Sequence, residues 1–168
     1  MNQRRRDALL GLSFLLVFPA FGLGSALRGT PAGTVLVLLN SVLVVTLGAL
    51  LWRESETTGA LYFGGRLTEA VLLLINPTGE TYQLAMASLA LASIPFWWSV
   101  PHLAPRWLRS FGVIGYAVFF VGTQLELFGV RAGLWLSLPG GLFEVTMACW
   151  FLSRAWRGGG ESGSATPA

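Results

Sequence analysis

The sequence has no lysine, one cysteine, one histidine and one aspartate among its 168 residues. A lone cysteine, Cys149, cannot close an internal disulfide and says little about redox compartment. One histidine (His102) and one cysteine cannot assemble a protein-ligated metal or haem site of the usual kind, so neither a metal nor another cofactor is expected. There is no P-loop, no glycine-rich dinucleotide turn after a strand, no HExxH and no CxxC. Charge is scarce as well: charged residues make up 11% of the chain, against about 25% in a soluble one. The net charge of +3 comes from arginine alone. Those arginines sit at the ends of apolar runs and form no patch or stripe, so nucleic acid is not an expected partner.

What the chain has in plenty is apolar length. Apolar residues make up 54%, and a soluble fold of this size needs more polar surface than the remainder can give. Crossing a hydrocarbon layer of about 30 Å takes about 20 helical residues. Six runs meet or approach that length: 8–27, 31–52, 59–75, 82–100, 107–130 and 133–152. The expected fold is therefore all-α, a polytopic transmembrane bundle of six helices in one domain, with the lipid bilayer as its first partner. After Arg157 the Gly/Ser-rich residues 158–168 predict a disordered tail.

Orientation follows from arginine bias. With the N-terminus in the cytoplasm, the inner segments hold Arg4, Arg5, Arg6, Arg53, Arg106, Arg109, Arg154 and Arg157. The outer segments hold Arg28 and Arg131, and Arg66 lies within a helix. The expectation is a multi-pass protein of a bacterial inner membrane with both termini cytoplasmic. The seven tryptophans, Trp97 among them, lie toward span ends, where indole rings favour the headgroup region. The first run also has the layout of a signal peptide, with Gly24-Ser25-Ala26 as a small-residue cleavage site. Its length, and the second run that follows at once, favour a retained helix.

The run 59–74, with Gly64-Gly65-Arg66 and Glu69-Ala70-Val71 at its centre, resembles the third helix of a bacterial membrane family, domain-of-unknown-function family forty-three eighty-six. Pro105-Arg106-Trp107-Leu108 and 111–115 are similar to the start of its late helix, and 138–144 to its last helix. The first span is similar too, so the likeness covers most of the chain. The resemblance implies an integral membrane protein and implies no activity, cofactor or catalytic residue. A weaker echo lies within the chain. Pro19 and Pro95 stand 76 residues apart, as do Gly64-Gly65 and Gly140-Gly141, and Glu69 and Glu144 match to within one. That spacing suggests a 3+3 inverted repeat, as in many transporters.

Ionisable groups in hydrocarbon cost roughly 2.5–3.5 kcal/mol each on insertion scales, and so require a partner or a wet cavity. Arg66 and Glu69, three apart, share one helix face with Tyr62. Glu144 lies near mid-span on a stripe with Ser137, Gly140 and Gly141, where small residues let another helix approach. The simplest arrangement docks the third helix against the sixth, with Arg66 between Glu69 and Glu144, since a guanidinium fork can serve two carboxylates. Secondary polar candidates are Asn40, Gln124 and Glu126. Asn40-Ser41 reads as helix–helix glue ahead of a ligand site, and Glu126 lies close enough to the outer interface to be solvated. His102, between Pro101 and Pro105, reads as a surface residue, Cys149 as a packing residue, and Pro19, Pro95 and Pro139 as kinks.

Three readings of function follow. The first is a non-enzymatic binding, sensing or assembly module, alone, as a homo-oligomer or with a partner membrane subunit, whose buried Arg/Glu clasp fixes helix register. The second is a small proton-linked transporter: two carboxylates against one arginine leave one negative charge over, and an unpaired carboxylate in hydrocarbon favours its neutral acid form. The third, an interfacial enzyme, would need a pocket joining His102, Glu54 or Glu56 to the headgroup region. No nucleophile has an evident histidine base at membrane depth, and no catalytic residue is expected.

Overall fold

A computed structural model describes residues 1–130 and 133–157. Among them are six helices and no strand: α1 (Gln3–Ala26), α2 (Pro31–Trp52), α3 (Glu56–Ile75), α4 (Gly79–Ser99), α5 (Arg106–Leu127) and α6 (Gly133–Arg157). The expected tail, 158–168, and Arg131 lie outside the described residues. The expected spans hold to within a few residues, with two clear extensions. Helix α1 begins at Gln3 rather than 8, and α6 runs to Arg157 rather than 152. Counting apolar residues measures the hydrocarbon layer, whereas helical hydrogen bonding continues into the headgroup region until a cap stops it. For α1 that cap is Asn2, whose side chain accepts from the Arg4 amide at 3.2 Å. At α2, Thr30 caps the Gly33 amide at 3.1 Å and Pro31 occupies the first turn, where a missing N–H costs nothing.

Five of the six helices are long and apolar enough to cross a membrane. Helix α4 falls short on apolarity alone: its 21 residues reach about 30 Å at about 1.5 Å each. Tyr82 and Gln83 at one end and Pro95, Trp97 and Trp98 at the other dilute its aliphatic centre. It compensates by burying more of itself, with Ala85, Met86, Leu89, Ala90, Ser93 and Phe96 all inside. Around the outside of the bundle, Leu16, Leu38, Val42, Val71, Leu91 and Ile114 are exposed. So extended an apolar surface suits lipid and is far beyond what a water-soluble monomer shows.

The helices form a closed ring. Each packs on its neighbours in sequence, and α1 closes onto α6, so α3 and α6 stand on opposite sides. This order is at odds with a 3+3 inverted repeat. Turning one half over about an axis in the membrane plane reverses the sense in which its helices circulate, yet α1–α2–α3 and α4–α5–α6 circulate the same way. The echo at 76 residues is therefore not matched by the order of the helices. Pro19, Pro95 and Pro139 all lie inside continuous helices. Close approach is bought by glycine at several contacts: a Cβ on Gly115 of α5 would come 3.0 Å from the Pro139 carbonyl of α6.

Short connections make neighbours antiparallel and sort the loops onto two faces. On the amino face, where α1 begins, Glu54 pairs with Arg6 and with His102 (2.6 Å), and Arg154 pairs with Asp7 (3.2 Å) and donates to the Leu103 carbonyl (3.0 Å). On the opposite face Arg28 reaches Thr78 at 3.5 Å. Two sequence expectations fail here. Trp97 is fully buried among rings, although five of the other tryptophans are exposed, because α4 turns that position into the ring's interior. Cys149 is exposed, since the packed stripe of α6 is Phe143, Met147, Phe151 and Ala155, one position per turn.

Candidate functional site

At mid-depth the side chain of Arg66 crosses the centre of the ring. Its Nε donates to the Tyr62 hydroxyl at 2.9 Å, Nη1 to Glu69 Oε2 at 3.0 Å, and Nη2 to Glu144 Oε1 at 2.5 Å. Tyr62 and Glu69 lie on Arg66's own helix, one turn to either side, as their spacing requires. Glu144 comes from the far side. The Tyr116 hydroxyl of α5 donates to the same Glu144 oxygen at 2.6 Å. The guanidinium also lies 5.9 Å from the Phe14 ring centre on α1 and 5.3 Å from that of Tyr62, within range of a cation–π attraction. Arg66, Glu69 and Glu144 are 1%, 3% and 6% exposed, so each charge relies on the others.

The expected trio thus meets, but not by the expected route. Helices α3 and α6 do not pack on one another; the long arginine side chain alone spans the gap between them. The stripe containing Gly140 and Gly141, predicted to seat α3, instead faces α5 and α1. The nearest neighbour of a Cβ at Gly140 is Phe119 (3.3 Å), and at Gly141 it is Phe18 (3.8 Å).

The space left between α3 and α6 is filled differently above and below the clasp. Toward the amino face it is filled by rings: Tyr62 stacks on Phe96 (centroids 4.5 Å), and Trp97 meets Phe96 and Phe143 edge-on, each at 5.1 Å. Toward the opposite face it stays open as a cavity of about 370 Å³. Glu69, Glu144, Tyr82, Tyr116 and Asn40 border this cavity, and its remaining wall is mostly apolar. On one side it is flanked by Phe18 of α1 and by Leu138, Leu142 and Val145 of α6. All four are exposed on the bundle's outer surface, so the cavity has a lateral mouth between α1 and α6.

The secondary candidates separate. Asn40, read as helix–helix glue, hydrogen-bonds no other helix. It is 1% exposed, it borders the cavity, and neither amide atom has a partner. Its neighbour Ser41 donates back to the Val37 carbonyl of α2 at 3.1 Å. Glu126 and Gln124 are half-buried near the opposite face. Glu126 accepts from Gln83 of α4, which ties α4 to α5 away from the clasp. His102 and Glu54 do meet, where Glu54 also forms a half-buried ion pair with Arg6. Glu56 opens α3 and borders a different hollow, with Trp52 and Arg53.

Sequence reasoning missed Tyr116. A signal for it exists: Gly112, Gly115, Phe119 and Gly122 mark the buried face of α5, and Tyr116 shares that face. A tyrosine hydroxyl on a buried face needs an acceptor, and mid-span carboxylates are the scarce acceptors here. No protein-family model matches the chain, and neither does any curated protein or any solved structure.

Proposed function

We propose that this is a non-enzymatic integral membrane binding module, in which the Arg66 clasp holds the ring open around an interior cavity. One observation carries the reading: two carboxylates that share a single guanidinium also border a cavity with a mouth at the lipid-facing surface. A clasp needed only for register would be expected to sit in packed side chains on all sides. The catalytic alternative has little support, because His102 is hydrogen-bonded to Glu54 on the amino face, well away from the cavity. By arginine bias the amino face is cytoplasmic, the membrane is a bacterial inner membrane, and the cavity lies in the outer half. Membership of domain-of-unknown-function family forty-three eighty-six belongs to the same proposal and rests on the motifs around Arg66 and Pro105.

Access to the cavity tests the reading. In a Cys149→Ser background, Ser137→Cys on the cavity wall should be alkylated by N-ethylmaleimide far faster than Phe143→Cys in the packed layer. Equal protection of both thiols would remove the cavity as a binding site. For orientation, a reporter fused after Arg157 should be active in the cytoplasm, and periplasmic activity would invert the assignment.

A proton-linked carrier is the second reading, favoured by the excess carboxylate at the cavity. It requires the ring layer of Tyr62, Phe96, Trp97 and Phe143 to move, since that layer closes the amino side. Dye-reported proton flux in proteoliposomes that is unchanged by Glu144→Gln would exclude that residue as the proton carrier.

A further inference from the structure

We propose that the cavity takes a lipophilic primary amine, which enters from the bilayer between α1 and α6 and lodges its ammonium against Glu69 and Glu144. This rests on the binding reading above and names the ligand class. Three independent features point the same way. The first is charge. Arg66 uses Oε2 of Glu69 and Oε1 of Glu144, and Tyr116 uses that same Glu144 oxygen. No hydrogen bond to the second oxygen of either carboxylate is found among the described residues. Two carboxylates and one guanidinium leave one negative charge, and buried charge is tolerated when it is paired and hydrogen-bonded. An ammonium offers three donors and the missing positive charge.

The second feature is Asn40. Its amide carries two donors and an acceptor with two lone pairs, is 1% exposed and borders the same cavity, and has no partner for either atom. Leaving such a group unsatisfied costs about 1–3 kcal/mol, so its placement at the wall is explained by a polar ligand group. The other buried side-chain atoms without partners, such as Trp97 Nε1, do not border this cavity. The third feature is the wall and its mouth. Val17, Phe21, Leu73, Met86 and Phe119 make the interior apolar, which suits an alkyl chain. The exposed Phe18, Leu138 and Leu142 at the mouth let that chain pass from lipid without crossing water. A cavity of about 370 Å³ falls within the usual range for small ligands.

Phosphatidylethanolamine carries the same ammonium, but its geometry is wrong for the cavity. Its headgroup stays at the membrane surface, and its phosphate would face the two carboxylates. The free amine is therefore the ligand proposed. The experiment uses the full chain in nanodiscs of phosphatidylcholine and follows thermal unfolding with n-octylamine or n-octanol. Octylamine should raise the Tm by several degrees at saturating excess, and octanol should not. Glu69→Gln and Asn40→Leu should each reduce the response to octylamine. Gly141→Phe, which places a ring among the residues at the mouth, should abolish it while leaving the unliganded protein folded. An equal shift with octanol and octylamine would overturn the ammonium assignment but leave the binding reading intact. A shift seen only when phosphatidylethanolamine replaces phosphatidylcholine would overturn it in favour of a lipid headgroup. If neither additive shifts the Tm and Ser137→Cys is also protected, the amine and the cavity fall together.

Discussion

The two halves of the ring are built from the same six helices and differ in what fills the middle. On the amino side, Phe14, Tyr62, Phe96, Trp97, Phe143 and Phe151 are fully or almost fully buried. On the opposite side the interior is a cavity bordered by Glu69, Glu144 and Asn40. The clasp of Arg66 lies at the boundary, with rings beneath the guanidinium and open volume above the carboxylates. Packed rings and open volume are thus separated by depth. Lipid-embedded helices gain little from hydrophobic association and depend on contact and hydrogen bonding. The ring-filled half provides that contact, which leaves the other half free to remain hollow.

The comparison can be broken most sharply at the boundary. Arg66→Met leaves two carboxylates facing each other and should cost about 3–5 kcal/mol, seen as loss of the monodisperse peak on size-exclusion chromatography in detergent. The triple variant Arg66→Met, Glu69→Leu, Glu144→Leu should restore that peak, because no buried charge is then left without a partner. Next in size is the packed layer. Phe143→Ala should cost about 3 kcal/mol, and Leu89→Ala beside the cavity nearer 2 kcal/mol, because fewer contacts surround it; denaturant titration in micelles compares the two. Glycines on the two sides should diverge also. Gly115→Leu must push α5 away from the Pro139 carbonyl and should cost about 1–3 kcal/mol. Gly141→Ala meets only the Phe18 ring, at an ordinary contact distance of 3.8 Å, and should stay within about 0.5 kcal/mol of the parent in the same titration. The smallest effect belongs to the amino face, where Glu54→Gln breaks the ion pair with Arg6 and weakens the contact with His102. A loss of no more than about 1 kcal/mol, shrinking further in high salt, is expected there.

Much of this was legible in the residues, for identifiable reasons. Spans follow from apolar length, and the meeting of Tyr62, Arg66 and Glu69 follows from helical spacing on one element. The partnership with Glu144 was legible as a charge requirement. Its geometry was not, because sequence counts charges but does not measure the reach of a guanidinium across a ring. The same limit explains Trp97 and Cys149. Position along a span indicates depth, and only the helix's rotation, set by its neighbours, decides between lipid and interior. The sequence does not separate the two roles open to Asn40, because a mid-span amide bonded to another helix and one facing a cavity look alike in it. The inverted repeat was not legible either way, because residue spacing does not say in which sense the helices circulate around the ring.

One consequence of the central ion pair concerns time. Arg66 and Glu144 are 78 residues apart, so at about 5–20 residues per second synthesis separates them by about 4–16 s. During that interval α3 must enter the bilayer with its arginine while its distant partner does not yet exist. Tyr62 and Glu69, one turn to either side on the same helix, are already present. They act as travelling companions that let the charge be inserted, and the late arrival of α6 then closes the circle on α1 and locks the cation in place.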